Sequence, residues 1–522
     1  MDQKLKLIWA NVLGLDPDEI EDDMTFVDLD GDSVKAIQVV AAAATQDILF
    51  SVETLYAYPT IEALSSHLSS SDETSLQKSP TSSLTQIASG ESSVTSHPLC
   101  SQISTEHRTA PVSPIQEMIL HLHENGQLHL SVYVYEIEGF VDESALRQAV
   151  EALAINHPIL RTTWAKGNSG YCQVLLSSSA VSFSSFDGCI LKHIQQTKAI
   201  ILTPGQRNAR FSLIRDKSMG TTFLTIAIHH AFCDAFTRYL LERDLVRALD
   251  APDDIHRGPP KPWYGDFAQY LRTHQDDEKA FKYWNDYIKG STTEVVCRGP
   301  LGLTREHSIL TNSMAITVPK KHQVGLGAVI VTAWSLALAQ HSGLSDFVFK
   351  MGKLGRSYPY PGLDQMGGPL MATSLFRFRL TDTDESIQRI LRSVQQELAS
   401  HEIYEHGLET LHSSGLPPVQ CFVNVKLGTH TMQSTSIGDM TVHPRRDLES
   451  WDVQLPTSIY LEVAQELSGI SMKMCYRSEH IGHQKAQLLF ENFHHILDNI
   501  DGEDFGVGQL ITKGKPVDNM TL

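Results

Sequence analysis

Two short runs hold side chains able to do chemistry. The first is Phe26-Val27-Asp28-Leu29-Asp30-Gly31-Asp32-Ser33-Val34. Gly31 permits a tight approach before a helix, and Ser33 is expected at the N-terminus of that helix with its hydroxyl exposed. A serine there serves more readily as an N-cap than as a nucleophile. With no histidine nearby to take its proton, it is a poor hydrolytic nucleophile. The second run is Ile228-His229-His230-Ala231-Phe232-Cys233-Asp234-Ala235-Phe236-Thr237, directly after the apolar Thr221 to Ile228. Adjacent histidines past a strand end put at least one imidazole at a sheet edge, where active-site residues often lie. Two histidines bonded to backbone are an equal reading of the run taken alone. A metal is not expected: neighbouring histidines point to opposite faces of an extended segment, and no HExxH or second cysteine completes a site.

The elements that must hold these runs are legible from periodicity. Leu5, Ile8, Trp9, Val12 and Leu13 recur at helical spacing, as do Val34, Ile37, Val40 and Ala44, and Pro59-Thr60 opens a last short helix through Ile61, Leu64 and Leu68. Residues 1–70 are therefore read as a small helical bundle. From Ser71 to Ser104 the chain is dominated by Ser and Thr, with Pro80, Gly90 and Pro98 as breakers. Such a stretch buries too little apolar surface to offset its ordering entropy, so 71–108 is read as a flexible tether. Beyond it, strand patterns (Leu130 to Ile137, Thr221 to Ile228, Met371 to Leu380, Ser458 to Val463) alternate with helical ones (Ala145 to Ala154, Thr237 to Leu249, Leu326 to Gln340, His483 to Ile500). This predicts an α/β domain of two comparable halves, 109–290 and 291–510.

Composition narrows the function. The 522 residues carry 42 Lys plus Arg against 61 Asp plus Glu, a formal charge of −19, which argues against a sequence-independent grip on nucleic acid. Residues 1–68 alone hold 13 acidic groups against three lysines, a net of −10. That is either a solubility surface or an acidic module that docks on basic faces in turn. The N-terminus lacks a signal-peptide pattern, no apolar run is long enough to span a bilayer, and the seven scattered cysteines form no CxxC pair. A cytoplasmic chain without disulfides or structural zinc is expected. No Gly-rich phosphate loop occurs, so no ATP site or adenylation domain is expected.

The first run resembles the carrier-protein signature of non-ribosomal peptide synthetases, with Asp30 where Gly is common. The resemblance implies that Ser33 carries 4′-phosphopantetheine, added by a phosphopantetheinyl transferase, whose thiol holds an acyl group as a thioester. The second run resembles the HHxxxDG motif of condensation domains, which share the chloramphenicol acetyltransferase fold. The match is to His229, His230 and Asp234, with Ala235 in place of Gly, while Asp234 through Thr237 also fits the ending of fungal terminal members. Supporting segments follow in the family's order: Pro111 to His121, Asn156-His157-Pro158-Ile159-Leu160-Arg161-Thr162, Tyr264-Gly265-Asp266-Phe267-Ala268, Gly368 to Thr373 with Ala372 in place of Asn, and Tyr404 to Leu408.

The resemblance implies a four-helix carrier bundle followed by a two-lobed condensation domain, jointly transferring a carrier-bound acyl or peptidyl group to an amine or hydroxyl. His230 is the implied base or positioning group in the channel between lobes. Asp234 fixes the turn by pairing with a buried cation, for which Arg161 is the candidate, and His229 is structural. Thr237 either bonds the backbone one turn away or lines the channel. An intramolecular nucleophile gives macrocyclisation and release; iterative extension in siderophore or depsipeptide assembly, an epimerase, and a non-catalytic recruitment platform are the alternatives. Other synthetase modules are the implied partners.

Overall fold

The computed structural model describes the chain apart from residues 30, 32, 71–106, 127–129, 168–169, 178–180, 252–260, 275–276, 297–307, 317–323, 357–359, 383, 400–407, 409–415, 428–431, 450–456, 467–468, 501–506 and 509–522. Residues 71–106 of the expected tether and Tyr404 to Gly407 fall outside the described residues, while Arg108, placed at the tether's end from sequence, opens the first strand of the large domain.

The N-terminal unit contains α1 (Asp2–Leu13), α2 (Ser33–Ala44), α3 (Val52–Ala57) and α4 (Ile61–Ser70). Gly14 ends α1 in the left-handed region, with its N–H bonded to Ala10. Trp9, Phe26, Val39, Val40, Leu55 and Leu64 meet in its core. Ala36 and Val40 face that core, whereas Ile37 is buried elsewhere.

The large domain opens with β1 (Arg108–Pro111), α5 (Pro114–Glu124), β2 (Ser131–Gly139), α6 (Glu143–Asn156), β3 (Thr162–Gly167), β4 (Gly170–Leu175), β5 (Ser182–Asp187), α7 (Ile190–Lys198), β6 (Ala209–Asp216), β7 (Thr221–Ile228), α8 (Ala235–Asp250), α9 (Tyr264–His274) and α10 (Asp277–Ile288). It continues through β8 (Ser308–Met314), α11 (Leu326–Ser342), β9 (Asp346–Lys353), β10 (Ala372–Arg379), α12 (Ile387–Ala399), β11 (Cys421–Lys426), β12 (Thr435–Ile437), β13 (Met440–Pro444), β14 (Ile459–Glu466), β15 (Gly469–Tyr476) and α13 (His483–Asn499). Local chemistry sets several of these boundaries. Ser113 and Gln116 form a capping box with Pro114 in the first turn of α5, and Asp142 caps α6. The stretch 328–339, apolar but for Thr332 and Ser335, is buried throughout, so α11 has a buried surface on all sides.

Two six-stranded sheets form the lobes, in the orders β12-β13-β2-β7-β6-β5 and β10-β9-β11-β14-β15-β8. The halves are not consecutive. β13 pairs antiparallel with β2, and Ile437, Val442, Leu363 and Leu370 enter the first lobe's core. The physical reason is the edge of β2, whose free backbone groups are satisfied by a hairpin sent across from the second half. In the second lobe, Ile459, Leu461 and Val463 point into the core while Tyr460, Glu462 and Ala464 line a cavity between the lobes. This is the period-two signature of a half-buried strand. Among the described residues, no helix is long and apolar enough to cross a membrane.

Candidate active site

The β7 strand delivers its histidines as the periodicity predicts. His229 is buried, and its Nδ1 accepts the Ala231 N–H at 3.1 Å, which tightens a 3-10 turn over His230–Phe232. Its ring packs edge-on against His123, centroids 4.4 Å apart, and 5.1 Å from Trp164. Burial holds its proton affinity well below the ordinary histidine range. The turn is clamped from α5, where buried Gln116 donates to the Ala231 carbonyl at 2.9 Å.

His230 instead lines the interlobe cavity of about 470 Å³. It remains partly accessible, and its Nδ1 has no hydrogen-bond partner among the described residues. Its pKa is pushed down to about 4, chiefly by burial and secondly by the Lys426 ammonium, with Asp234 opposing. The imidazole is therefore neutral near pH 7 and able to accept a proton.

Asp234 caps α8. Its Oδ1 accepts the Thr237 N–H at 2.7 Å, and its Oδ2 accepts the Leu370 N–H at 3.1 Å. Its cation is Arg356, whose Nη2 lies 3.2 and 3.3 Å from the two carboxylate oxygens. Arg161 is not the partner. It donates to the carbonyls of Ala154 and Leu176, both at 2.9 Å, because its 3-10 turn (Pro158–Arg161) aims the guanidinium back at the end of α6. Arg356 is 1% exposed. It also donates to the carbonyls of Leu363 and Met366 at 2.7 Å and stacks over Phe236 at 4.2 Å. Sequence reasoning missed it; the available signal was an arginine just after the end of a buried strand and a glycine, Gly355, in the left-handed region.

Thr237 is wholly buried. Its hydroxyl oxygen lies 2.6 Å from Asp234 Oδ1 and 2.8 Å from the Gly368 carbonyl, and it accepts the Gly368 N–H at 2.9 Å. The backbone it bonds is not that of its own helix one turn away but that of Gly368, 131 residues on. Ala235 begins α8 and needs no left-handed backbone, so the missing glycine costs nothing here.

The supporting segments converge on the same turn. Tyr264 donates its hydroxyl within reach of Ser113 Oγ (2.8 Å) and the Pro369 carbonyl (3.0 Å). His157 meets Asp244 at 2.9 Å, where Lys261 and Arg243 also bind. A second buried network, unforeseen from sequence, forms part of the cavity wall. Arg238 binds Glu242 at 2.6 Å and Glu449 twice at 2.7 Å, with its guanidinium 4.3 Å from the Tyr133 ring. Across from it, Lys426 pairs with Glu462 at 2.7 Å.

The helical bundle packs against this domain beside the site. Ile37 of α2, one turn after Ser33, is buried with Phe236 and Leu240 of α8, and α3 lies along α12. Tyr56, Val52 and Ile37 line a smaller cavity of about 120 Å³ together with Lys353 and Leu354, two residues that also line the large one. Ser33 opens α2. The preceding Gly31 is pressed so closely on Phe26 that a Cβ there would fall 2.4 Å from the Phe26 carbonyl oxygen. A helix start one turn from the interface, with shared residues leading to His230, fits the phosphopantetheine arm expected on Ser33. Among the described residues, no group of three or more His, Cys, Asp or Glu is placed to hold a metal ion.

Comparison with known proteins agrees. Residues 106–502 match the family described as Condensation domain, and residues 3–68 match the one described as Phosphopantetheine attachment site. Nonribosomal peptide synthetase 8 of Gibberella moniliformis is 31% identical over 545 residues, covering 97% of this chain and 97% of that protein. Nonribosomal peptide synthetase ALT12 of Alternaria alternata is 26% identical, covering 98% and 99%. Among solved structures, holo T3CT superposes with a TM-score of 0.60 at 17% identity, covering 83% of this chain and 99% of that one. The first condensation domain of the calcium-dependent antibiotic synthetase gives 0.59 at 14%, covering 77% and 98%. At those identities the structural likeness speaks for the fold.

Proposed function

We propose a mechanism for a chain that belongs to the condensation-domain family of non-ribosomal peptide synthetases and carries its own phosphopantetheine attachment domain. It is a carrier–condensation didomain and an acyltransferase that forms amide or ester bonds. When bound, 4′-phosphopantetheine supplies a thioester on a flexible arm, which makes the transfer effectively intramolecular.

The chain's own part is the handling of protons and charge. Ser33 is the attachment point, modified by a phosphopantetheinyl transferase. His230 accepts the proton of an incoming N–H or O–H as the new bond to the acyl carbon forms. It returns that proton to the departing sulfur as the carbon–sulfur bond breaks. The imidazole is neutral and free to accept at pH 7; its depressed basicity makes it a weaker base than an ordinary histidine and quick to give the proton back. Asp234, with Arg356, holds the turn that carries His230, and His229 braces it from behind. The substrates are a carrier-bound acyl or peptidyl group delivered by other synthetase modules, and an amine or hydroxyl that belongs either to a second molecule or to the same acyl chain.

The observation that carries this reading is His230 lining a cavity that shares Lys353 and Leu354 with the cavity beside the docked carrier. An epimerase would need a carboxylate base facing His230. Of the five carboxylates on the lining, Asp234, Glu242, Glu449 and Glu462 are each held by a cation and Glu466 accepts the Ser471 hydroxyl at 2.9 Å, which favours transfer. The test is intact mass spectrometry with single-turnover chemistry. Ser33→Ala gains no mass with a phosphopantetheinyl transferase; His230→Ala loads normally but forms no product. A loaded Ser33→Ala protein, or an undiminished rate in His230→Ala, overturns the assignment.

A further inference from the structure

The cavity wall opposite the histidine turn carries a charged cluster that the mechanism above leaves unused. On β11, Phe422, Asn424 and Lys426 face the cavity while Cys421, Val423 and Val425 face the core. On the neighbouring β14, Tyr460 and Glu462 do the same. Asn424 stands opposite Glu462 in the parallel ladder, and Glu462 stands opposite Lys473 of β15. Asn424 donates its amide to the Tyr460 hydroxyl at 2.8 Å, Tyr460 donates to Glu462 Oε2 at 3.2 Å, and Lys426 Nζ meets the same oxygen at 2.7 Å. The lysine and glutamate side chains are 21% and 17% exposed. An ion pair in that position pays a desolvation cost that an apolar pair of the same shape would avoid, yet the fold aims it into the reaction space.

We propose that Lys426, anchored by the Glu462–Tyr460–Asn424 chain, is a positioning residue for the transfer, its ammonium acting through space on His230 and on the carbonyl oxygen as negative charge builds there. The inference deepens the reading above and rests on His230 as the proton acceptor. Two effects follow from one cation. It disfavours protonated His230, which eases return of the proton to the departing sulfur, in accord with its place as the second cause of the depressed affinity there. It also favours the developing oxyanion in a space where water screens little. The charges around the histidine are all paired, Lys426 with Glu462, Asp234 with Arg356, and Arg238 with Glu242 and Glu449; Lys426 is the cation among them whose ammonium lowers the proton affinity of His230. Tyr133 and Cys233 face the same space in their neutral forms, each pushed up by burial. Lys353, Arg446, Glu466 and Lys473 are the remaining charged residues on the lining.

The test uses the full chain, loaded at Ser33, with single-turnover rates measured across pH and histidine Cε1 resonances followed by NMR, His230 being assigned by its loss in His230→Ala. Lys426→Met is expected to slow transfer about tenfold or more and to move the His230 titration upward from about 4 toward the ordinary histidine range. Lys426→Arg restores both. Glu462→Gln, which keeps the wall's shape but removes the negative charge, shifts the titration the opposite way. Opposed shifts cannot come from loosened packing, which would move both variants alike. A parental rate and titration in Lys426→Met overturns the proposal, as does a slow variant whose titration is unmoved or which arginine fails to rescue. Should Lys426→Met not fold, the Glu462→Gln shift decides alone. An active His230→Ala sinks the parent mechanism, whereas a dead His230→Ala beside an unaffected Lys426→Met sinks only the lysine's role.

Discussion

Replacing Arg356 by methionine removes a guanidinium that holds Asp234 and two carbonyls at once. Asp234 keeps the Thr237 and Leu370 N–H groups but loses the cation paired with it. Breaking a buried pair by removing one member costs about 3–5 kcal/mol. The carbonyls of Leu363 and Met366, bonded at 2.7 Å, each add roughly 1 kcal/mol or more when orphaned. Residues 106–502 unfold with an entropy of roughly 0.8 kcal/mol/K at the usual value per residue, so a loss of about 5–7 kcal/mol lowers the melting midpoint by about 6–9 °C. Arg161→Met removes only two carbonyl contacts from a half-buried side chain and lowers it by about 1–3 °C. Differential scanning calorimetry of both variants and of Asp234→Asn supplies the numbers. In the double variant Asp234→Asn with Arg356→Met, the two losses combine to less than their sum, by about 1–3 kcal/mol, because the second removes a partner the first has already weakened. Equal damage from the Arg161 and Arg356 variants, or strict additivity of the Asp234 pair, would refute the assignment of Arg356 as the counter-charge.

Ile37 lies outside the carrier's own core and is buried with Phe236 and Leu240. Ile37→Ala therefore leaves the carrier folded by circular dichroism, removes about 2 kcal/mol of apolar contact and slows single-turnover transfer by up to ~30-fold; a parental rate counts against this docking face. Gly368→Ala places a methyl 2.3 Å from the Tyr264 ring at φ +152°, so expression yield or melting temperature falls sharply, while the same change at exposed Gly205, which adds the backbone strain of φ +85° but no clash, is milder. His230 and His341 are both pushed down to about 4 by burial. Their folded pKa lies below the unfolded value of about 6.5, so the stability they contribute is complete above pH 6.5 and is lost as pH falls toward 4. Replacing His341 by glutamine flattens the dependence of denaturation midpoint on pH in that window; an unchanged slope argues against a buried neutral imidazole.

The fold was readable wherever one residue type had one physical reason to be there. The helical spacing of Leu5, Ile8 and Trp9 became α1, and the apolar run after Leu326 became α11. Ser33 and the histidine pair declared themselves because a Gly-led helix start and a strand end are local features. The counter-charge to Asp234 was not local: Arg356 lies 122 residues away, and Arg161 differed from it only in where a 3-10 turn directs its side chain. The same holds for Arg238, Glu449 and the Lys426–Glu462 pair. Single charges on amphipathic strands and helices look like solvated faces until the opposite lobe covers them.

That covering also explains why the boundary near residue 290 does not cut the molecule into separable lobes. The first lobe's sheet ends at β2 on its side, and five residue pairs of β13 complete that edge. Arg445 donates its N–H to the Val134 carbonyl at 2.8 Å and pairs through its side chain with Glu136, while Glu449 closes the Arg238 network. Without the crossing hairpin, the first lobe would expose an apolar strand edge and the Ile437 and Val442 contacts of its core. Arg238 would also keep Glu242 alone. The connection that carries Glu449 thus does two jobs, finishing a sheet in one lobe and supplying a charged residue to the cavity between lobes.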